Sequence, residues 1–183
     1  MNVGVNVEFK TIQMKTIYLC LFLLILNSCV QPDESHLYQI RAGDHRSVTA
    51  PIPHVGNEIN FEFTVNETFM QESGGINKLC GFSLGLVHEN SARLGWMFDG
   101  ERLQAYAYTY VEGVRFFAPF AILQVNQRYY CQITKEGDEY HFRLNEFEYK
   151  CPAKGWLPGD ILLPYIGGEG TFDNDFYVEM LIK

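Results

Sequence analysis

Apolar and polar residues alternate with a period of two along most of the chain, the pattern of strands that bury one face. Phe61, Phe63 and Val65 alternate with Asn60, Glu62 and Thr64. Ala92, Leu94, Trp96 and Phe98 alternate with Ser91, Arg93, Gly95 and Met97, and Asp99-Gly100 then supplies a hairpin turn. The returning strand sets Leu103, Ala105 and Ala107 on one face and Gln104, Tyr106, Tyr108 and Tyr110 on the other. Glu112-Gly113 turns again into a strand over residues 114–117. Tyr129, Cys131 and Ile133 lead through Glu136-Gly137-Asp138 to Tyr140, Phe142 and Leu144. A run over 161–166, a glycine-rich loop and a last strand carrying Phe176, Val178, Met180 and Ile182 on one face complete the pattern. No helical period of useful length and no internal repeat occurs. Many short strands at this spacing predict an all-β antiparallel sandwich or barrel.

The N-terminal region follows a different rule. Lys15 precedes an unbroken apolar run over residues 17–26, the length of a signal h-region and about half of a membrane-spanning helix. The run ends in Leu26-Asn27-Ser28-Cys29, which resembles the lipobox of bacterial lipoproteins, with Asn27 departing from the commonest form. That resemblance implies cleavage before Cys29 and acylation of its thiol. Met14, directly before Lys15, is the expected true start. The expected organisation is a signal segment over 1–28, an acidic tether over 29–36 and one domain over 37–183. Gln31-Pro32-Asp33-Glu34 in the tether resembles the acidic export tags of some lipoproteins. The location so implied is the bacterial outer membrane, lipid-anchored through Cys29 and exposed at the cell surface.

Composition adds limits. The hydrophobic share is 47% and the aromatic share 15%, enough for a packed core. A net charge of −8 repels phosphate backbones, and no basic run interleaved with aromatics is present, so nucleic acid is excluded as a partner. The same acidity disfavours polyanionic glycans unless a local basic patch overrides it.

With Cys20 removed and Cys29 acylated, Cys80, Cys131 and Cys151 remain, so at most one disulfide forms. Cys131 with Cys151 is one expectation, across the intervening hairpin; three buried free thiols is the equal alternative. No Cys/His spacing suggests zinc, and no metal ligand or cofactor is predicted. His88-Glu89-Asn90 and Asp173-Asn174-Asp175 read as solvated loops rather than ligand sets, and no nucleophile elbow, Walker loop or HExxH occurs.

The order of strands resembles the concanavalin A-like lectin/glucanase jelly roll. An early strand over 38–47 would pair with the last one, and Leu163-Pro164-Tyr165-Ile166-Gly167-Gly168 before that last strand resembles the C-terminal part of such domains. More narrowly, Asn77-Lys78-Leu79-Cys80-Gly81-Phe82-Ser83 and Asn90-Ser91-Ala92-Arg93-Leu94-Gly95-Trp96 resemble an uncharacterised family of small lipoproteins from gut anaerobes. The jelly-roll resemblance implies glycan binding on the concave sheet. If the alternation holds, Arg93 shares a face with Tyr106, Tyr108 and Tyr110, opposite Leu94 and Trp96. Tyrosine rings would stack on sugars while Arg93 bonds hydroxyls or carboxylates, and Trp156, in a loop, is a further platform. The alternative for these tyrosines is packing beneath a loop with their hydroxyls satisfied.

Catalysis is the second reading. Glycosidases of this fold carry Glu, Asp and Glu at alternate positions of one strand, and Glu136-Gly137-Asp138-Glu139-Tyr140 lacks the third acid. Polysaccharide lyases of this fold use a Tyr/His pair, and Gln39-Ile40 resembles one fragment of their pattern, with Arg41 where a His is expected. No catalytic residue is assigned. A non-catalytic module binding envelope proteins is the third reading.

Overall fold

Alternating strands reach water-free packing only when a second sheet covers their apolar face. In the computed structural model, residues 35–46, 52–156, 158–168 and 170–183 are described. They form two six-stranded sheets. In spatial order, the first contains β1 (His36–Ile40), β12 (Phe176–Ile182), β3 (Glu58–Thr64), β8 (Arg128–Glu136), β9 (Glu139–Leu144) and β10 (Phe147–Pro152). The second contains β2 (Ile52–His54), β11 (Gly159–Leu162), β4 (Asn77–Ser83), β5 (Ser91–Phe98), β6 (Leu103–Val111) and β7 (Val114–Ile122). Neighbouring strands pair antiparallel throughout. The chain is therefore an all-β antiparallel sandwich, as the alternation predicts. The signal segment, Cys29 and the tether through Glu34 lie outside the described residues; the described residues from Ser35 to Lys183 belong to one compact unit.

The core lies between the sheets and is aromatic. Phe61 and Phe63 of β3, Phe82 of β4, Trp96 of β5, Phe142 of β9 and Phe176 of β12 are almost completely buried. A 3-10 turn, Glu67–Met70, follows β3; Asn66 caps it by accepting from the Thr68 amide at 2.9 Å, and it delivers Phe69 into the core. Ala105 and Ala107 on the inner face of β6 are small, which admits the larger rings opposite.

Three sequence expectations change. The early strand stops at Ile40, because Gly43 turns the chain at φ +81° and Asp175 Oδ1 accepts from the Ala42 amide. It does pair with the last strand, Tyr38 opposite Val178. The strand after Glu112-Gly113 runs on to Ile122 through Pro119. A proline is admissible there because β7 is the edge of its sheet and the register slips by one residue opposite Ala105 and Tyr106.

The third change concerns the cysteines. Cys80, Cys131 and Cys151 are all free thiols. Cys131 stands opposite Leu144, which stands opposite Phe147, four residues short of Cys151. That offset is about 13 Å along the strands, in addition to two strand spacings, whereas a disulfide needs Cα atoms within about 7 Å. The hairpin separates the two thiols instead of joining them.

Candidate functional site

The outer face of the second sheet is built by register. One row crosses it as Leu162, Gly81, Arg93, Tyr108 and Phe117, from β11 to β7. A second row is Lys78, Gly95, Tyr106 and Pro119, and a third is Ser91, Tyr110 and Arg115. The hairpin at Glu112 and Gly113 fixes the third row. Both residues have positive φ, 51° and 79°, so a two-residue turn sets Val111 opposite Val114 and Tyr110 opposite Arg115.

Arg93, Tyr106, Tyr108 and Tyr110 thus do share one face, opposite Leu94 and Trp96. Their surroundings differ from the expectation. Tyr106 and Tyr108 each keep only 6% of their surface, packed with Ile76 and flanked by Met97 and Tyr110, so they form the floor rather than exposed platforms. The Tyr106 hydroxyl donates to Gln104 Oε1 at 2.9 Å. Tyr110 packs edge-on against Tyr108 at 5.9 Å and against His88 at 5.2 Å. The rings that remain open are Phe117, 52% exposed, and Tyr165, 36% exposed. Trp156 is 84% exposed in the loop after β10, beside Gly155, which abuts Asn90. It makes no ring contact with this face among the described residues.

Cations lie over that floor. Lys78 Nζ sits 4.7 Å from the centroid of Tyr108 and 5.4 Å from that of Tyr165. The Arg93 side chain reaches across β4, where the residue opposite it is Gly81, and donates from Nη2 to the Leu163 carbonyl. The Arg115 guanidinium lies 5.7 Å from the Phe117 ring. Tyr165 is held by paired backbone bonds with Lys78, each 2.8 Å, and is stacked on His45 at 5.7 Å and 17°. His45 Nδ1 donates to the Ile166 carbonyl at 3.0 Å, since a carbonyl only accepts.

Among the described residues, none of Lys78, Arg93 and Arg115 is ion-paired with a carboxylate. Burial, aided by the like charges of Arg93 and Arg115, pushes the Lys78 ammonium down to about 8. Burial likewise pushes Arg93 down to about 10, and its Nε is buried without a hydrogen-bond partner. Burial and the neighbouring Tyr110 push Tyr108 up to about 12. Burial, and after it the nearby Asp99 carboxylate, raises the Tyr106 phenol above its ordinary value. Among the described residues, no group of three or more His, Cys, Asp or Glu is placed to hold a metal ion.

The loop carrying Tyr165 is seated by a glycine. The Gly167 amide donates to Asn77 Oδ1 at 3.0 Å, and a Cβ on Gly167 would run into the Ile76 carbonyl and Lys78 Nζ. Gly167→Ala is therefore expected to lower the unfolding free energy by about 2 kcal/mol, read by urea titration. An unchanged midpoint would mean the loop moves aside freely.

The lyase-like fragment falls elsewhere. Gln39 lies on β1 of the first sheet, where its amide donates to Asp175 Oδ2 at 2.9 Å and to the Tyr177 hydroxyl at 3.3 Å. It does not join the cluster of Arg93 and Tyr108. Lys78, Arg115, Phe117 and Tyr165 escape the sequence reading for distinct reasons. The register slips between Lys78 and Cys80, so counting back by twos from Gly81 turns Leu79 outward in place of Lys78. Tyr165 follows Pro164 and is joined to Lys78 by an isolated bridge, not a strand. Arg115 and Phe117 were reachable, since the Glu112-Gly113 turn fixes their phase.

No protein-family model and no curated protein matches the sequence. Solved structures match in fold. A family 18 polysaccharide lyase superposes with a TM-score of 0.53 at 7% identity, over 85% of this chain and 88% of the lyase. An alginate lyase from Alteromonas sp. 272 gives 0.48 at 8% identity, over 81% of this chain and 77% of the enzyme. The carbohydrate-binding module CBM66 from Bacillus subtilis gives 0.37 at 11% identity, over 82% and 80%. The likeness to the family 18 polysaccharide lyase is one of fold, an antiparallel two-sheet sandwich of the jelly-roll type. Fold alone is what such identities establish.

Proposed function

We propose that this protein binds a carbohydrate on the outer face of its second sheet. The observation that carries the reading is the pairing of open rings, Phe117 and Tyr165, with cationic donors, Lys78, Arg93 and Arg115, above a tyrosine floor. Rings cover the apolar faces of sugars, and the donors take their polar substituents. Arg93 would keep the polar role expected from the alternation, whereas Tyr106, Tyr108 and Tyr110 would serve as the floor beneath the ligand and not as stacking platforms; Trp156 would act only as a peripheral contact. The likeness in fold to a family 18 polysaccharide lyase is consistent with this use of the sandwich.

The test is affinity electrophoresis through gels cast with a panel of plant and host polysaccharides, followed by assay for released product. Retardation without product is the expected result. Phe117→Ala and Tyr165→Ala should each weaken it by about 1–3 kcal/mol. Retardation unchanged in both variants would overturn the site. Product formation would move the protein to the lyase or hydrolase class, and absence of any retardation would favour an envelope protein-interaction module. The same proposal includes anchoring of the domain in the outer membrane through acylated Cys29, supported by the apolar run over 17–26 and Leu26-Asn27-Ser28-Cys29. Labelled palmitate should enter the protein and be lost in Cys29→Ser.

A further inference from the structure

Charge placement sets one face of the molecule apart. The chain carries a net charge of −8, yet three cations stand together on one sheet face with no carboxylate partner among the described residues. They come from three different strands, β4, β5 and β7, so the fold assembles the cluster; no local run of basic residues does. Exposed lysines and arginines that serve only solubility point into water, where hydration satisfies them. Arg115 is exposed at the sheet edge, but Lys78 and Arg93 are half-buried beside it. Lys78 is drawn over two tyrosine rings, Arg93 is committed to one backbone carbonyl with its Nε left buried and unbonded, and burial, followed by the charges of Arg93 and Arg115, lowers the affinity of Lys78 for its proton. Holding the like charges of Lys78 and Arg93 partly out of water, with Arg115 near them, is unfavourable unless an anion joins them.

We infer that the ligand of this face is an anionic glycan, one whose sugars carry carboxylate or sulfate groups that seat between Lys78, Arg93 and Arg115. This rests on the glycan-binding reading above and sharpens it. The open rings Tyr165 and Phe117 flank the cations at opposite ends of the face, on the β11 side and on β7, so a sugar chain crossing the strands meets ring, cations and ring in turn. An arginine offers a planar fork to a carboxylate or sulfate, and Lys78 adds a point charge. The buried Nε of Arg93 lies behind this fork, so an anion shares the guanidinium charge even where it does not bond that atom. The net charge of −8 then acts as selection, because it disfavours a polyanion that does not meet this cluster.

The experiment uses the full chain in detergent with two matched pairs of polymers in the electrophoresis gel. Dextran is compared with dextran sulfate, and carboxyl-reduced polygalacturonate with polygalacturonate. The expected result is retardation by the charged member of at least one pair, at least about tenfold stronger than by its neutral partner, and weakened about tenfold between roughly 0.05 and 0.5 M salt. Whichever pair responds identifies carboxylate or sulfate as the group read. Lys78→Met and Arg115→Gln should each weaken it about tenfold or more, while Arg143→Gln, the same charge change on the first sheet, should leave it within about twofold. Circular dichroism melts confirm that each variant is folded, and Arg115 on the edge strand carries the test if Lys78→Met melts early. Retardation by the neutral polymers that is indifferent to salt and to these variants would overturn the anionic ligand while leaving glycan binding in place. Equal losses in Arg143→Gln would reduce the effect to net charge and overturn it as well. No retardation by any polymer would overturn the glycan-binding reading itself, and this inference with it.

Discussion

Trp96→Ala is expected to lower the free energy of unfolding by about 4 kcal/mol, the largest single loss from any side-chain truncation in the core. Trp96 is 1% exposed and lies at the junction of three elements. Its ring is stacked 4.9 Å from Phe176 of β12, in the opposite sheet, and 5.0 Å from Phe69 of the 3-10 turn; Phe69 and Phe176 are themselves 5.0 Å apart. Removing the indole leaves a cavity walled by strands that cannot collapse without breaking their ladders. The indole Nε1 is also buried without a hydrogen-bond partner. An orphaned donor costs about 1–3 kcal/mol, so Trp96→Phe, which deletes it along with some volume, should lose much less, about 1–2 kcal/mol. Urea titration of the two variants measures both, and for a domain of this size the alanine variant should melt roughly 10 °C lower. Equal losses in the two variants would show that the indole N–H is hydrogen-bonded in the folded protein and that losing this bond, more than volume, governs the site.

The same residues show how far sequence alone carries. Trp96, Leu94 and Ala92 are inward, and Arg93 outward, because a strict period of two leaves no other phase once one face is buried. Asp99-Gly100 and Glu112-Gly113 fix the hairpins on either side, so the row from Arg93 to Tyr108 is legible in the alternation itself. What is not legible arises where the period breaks. One extra residue between Lys78 and Cys80 reverses the apparent phase of β4 and hides a cation; another slip beside Tyr106 accompanies Pro119. Burial is a second blind spot. Alternation tells which way Tyr106 and Tyr108 point, but not that Ile76 and Met97 lie against them and leave the open rings to Phe117 and Tyr165. Pairing distance is the third, since Cys131 and Cys151 are near in sequence yet out of register on β8 and β10.

Those thiols govern the second large effect, loss of stability at alkaline pH. Cys80 and Cys131 are completely buried on the inner faces of β4 and β8, and Cys151 is partly buried on β10. Burial pushes Cys80 up to about 12 and Cys151 up to about 11, and raises Cys131 well above its ordinary value. In the unfolded chain a thiol ionises near about 8.5. A folded pKa above the unfolded one means that the folded state holds its proton longer, so the stabilisation is complete below about pH 8.5 and is lost as pH climbs towards the folded value. Each fully shifted thiol removes about 1.4 kcal/mol per pH unit in that window. Lys78 acts in the opposite sense: its folded value, about 8, lies below the ordinary 10.5, so unfolding takes up a proton between them and stability rises. It is partly solvated, so its contribution is smaller than one thiol's. Three thiols against one amine leave a net fall of about 3 kcal/mol per pH unit between about pH 9 and 10. Above about pH 10, Tyr108 adds to the fall, its folded value being about 12, while Arg93, lowered to about 10, opposes it. Urea titrations under reducing conditions at about pH 7, 9 and 10 read the slope directly. Cys80→Ala costs some packing at every pH but should make the alkaline slope shallower by about 1.4 kcal/mol per unit. A slope identical in the two proteins would mean that Cys80 ionises as readily folded as unfolded, and that β4 opens to water on its core side.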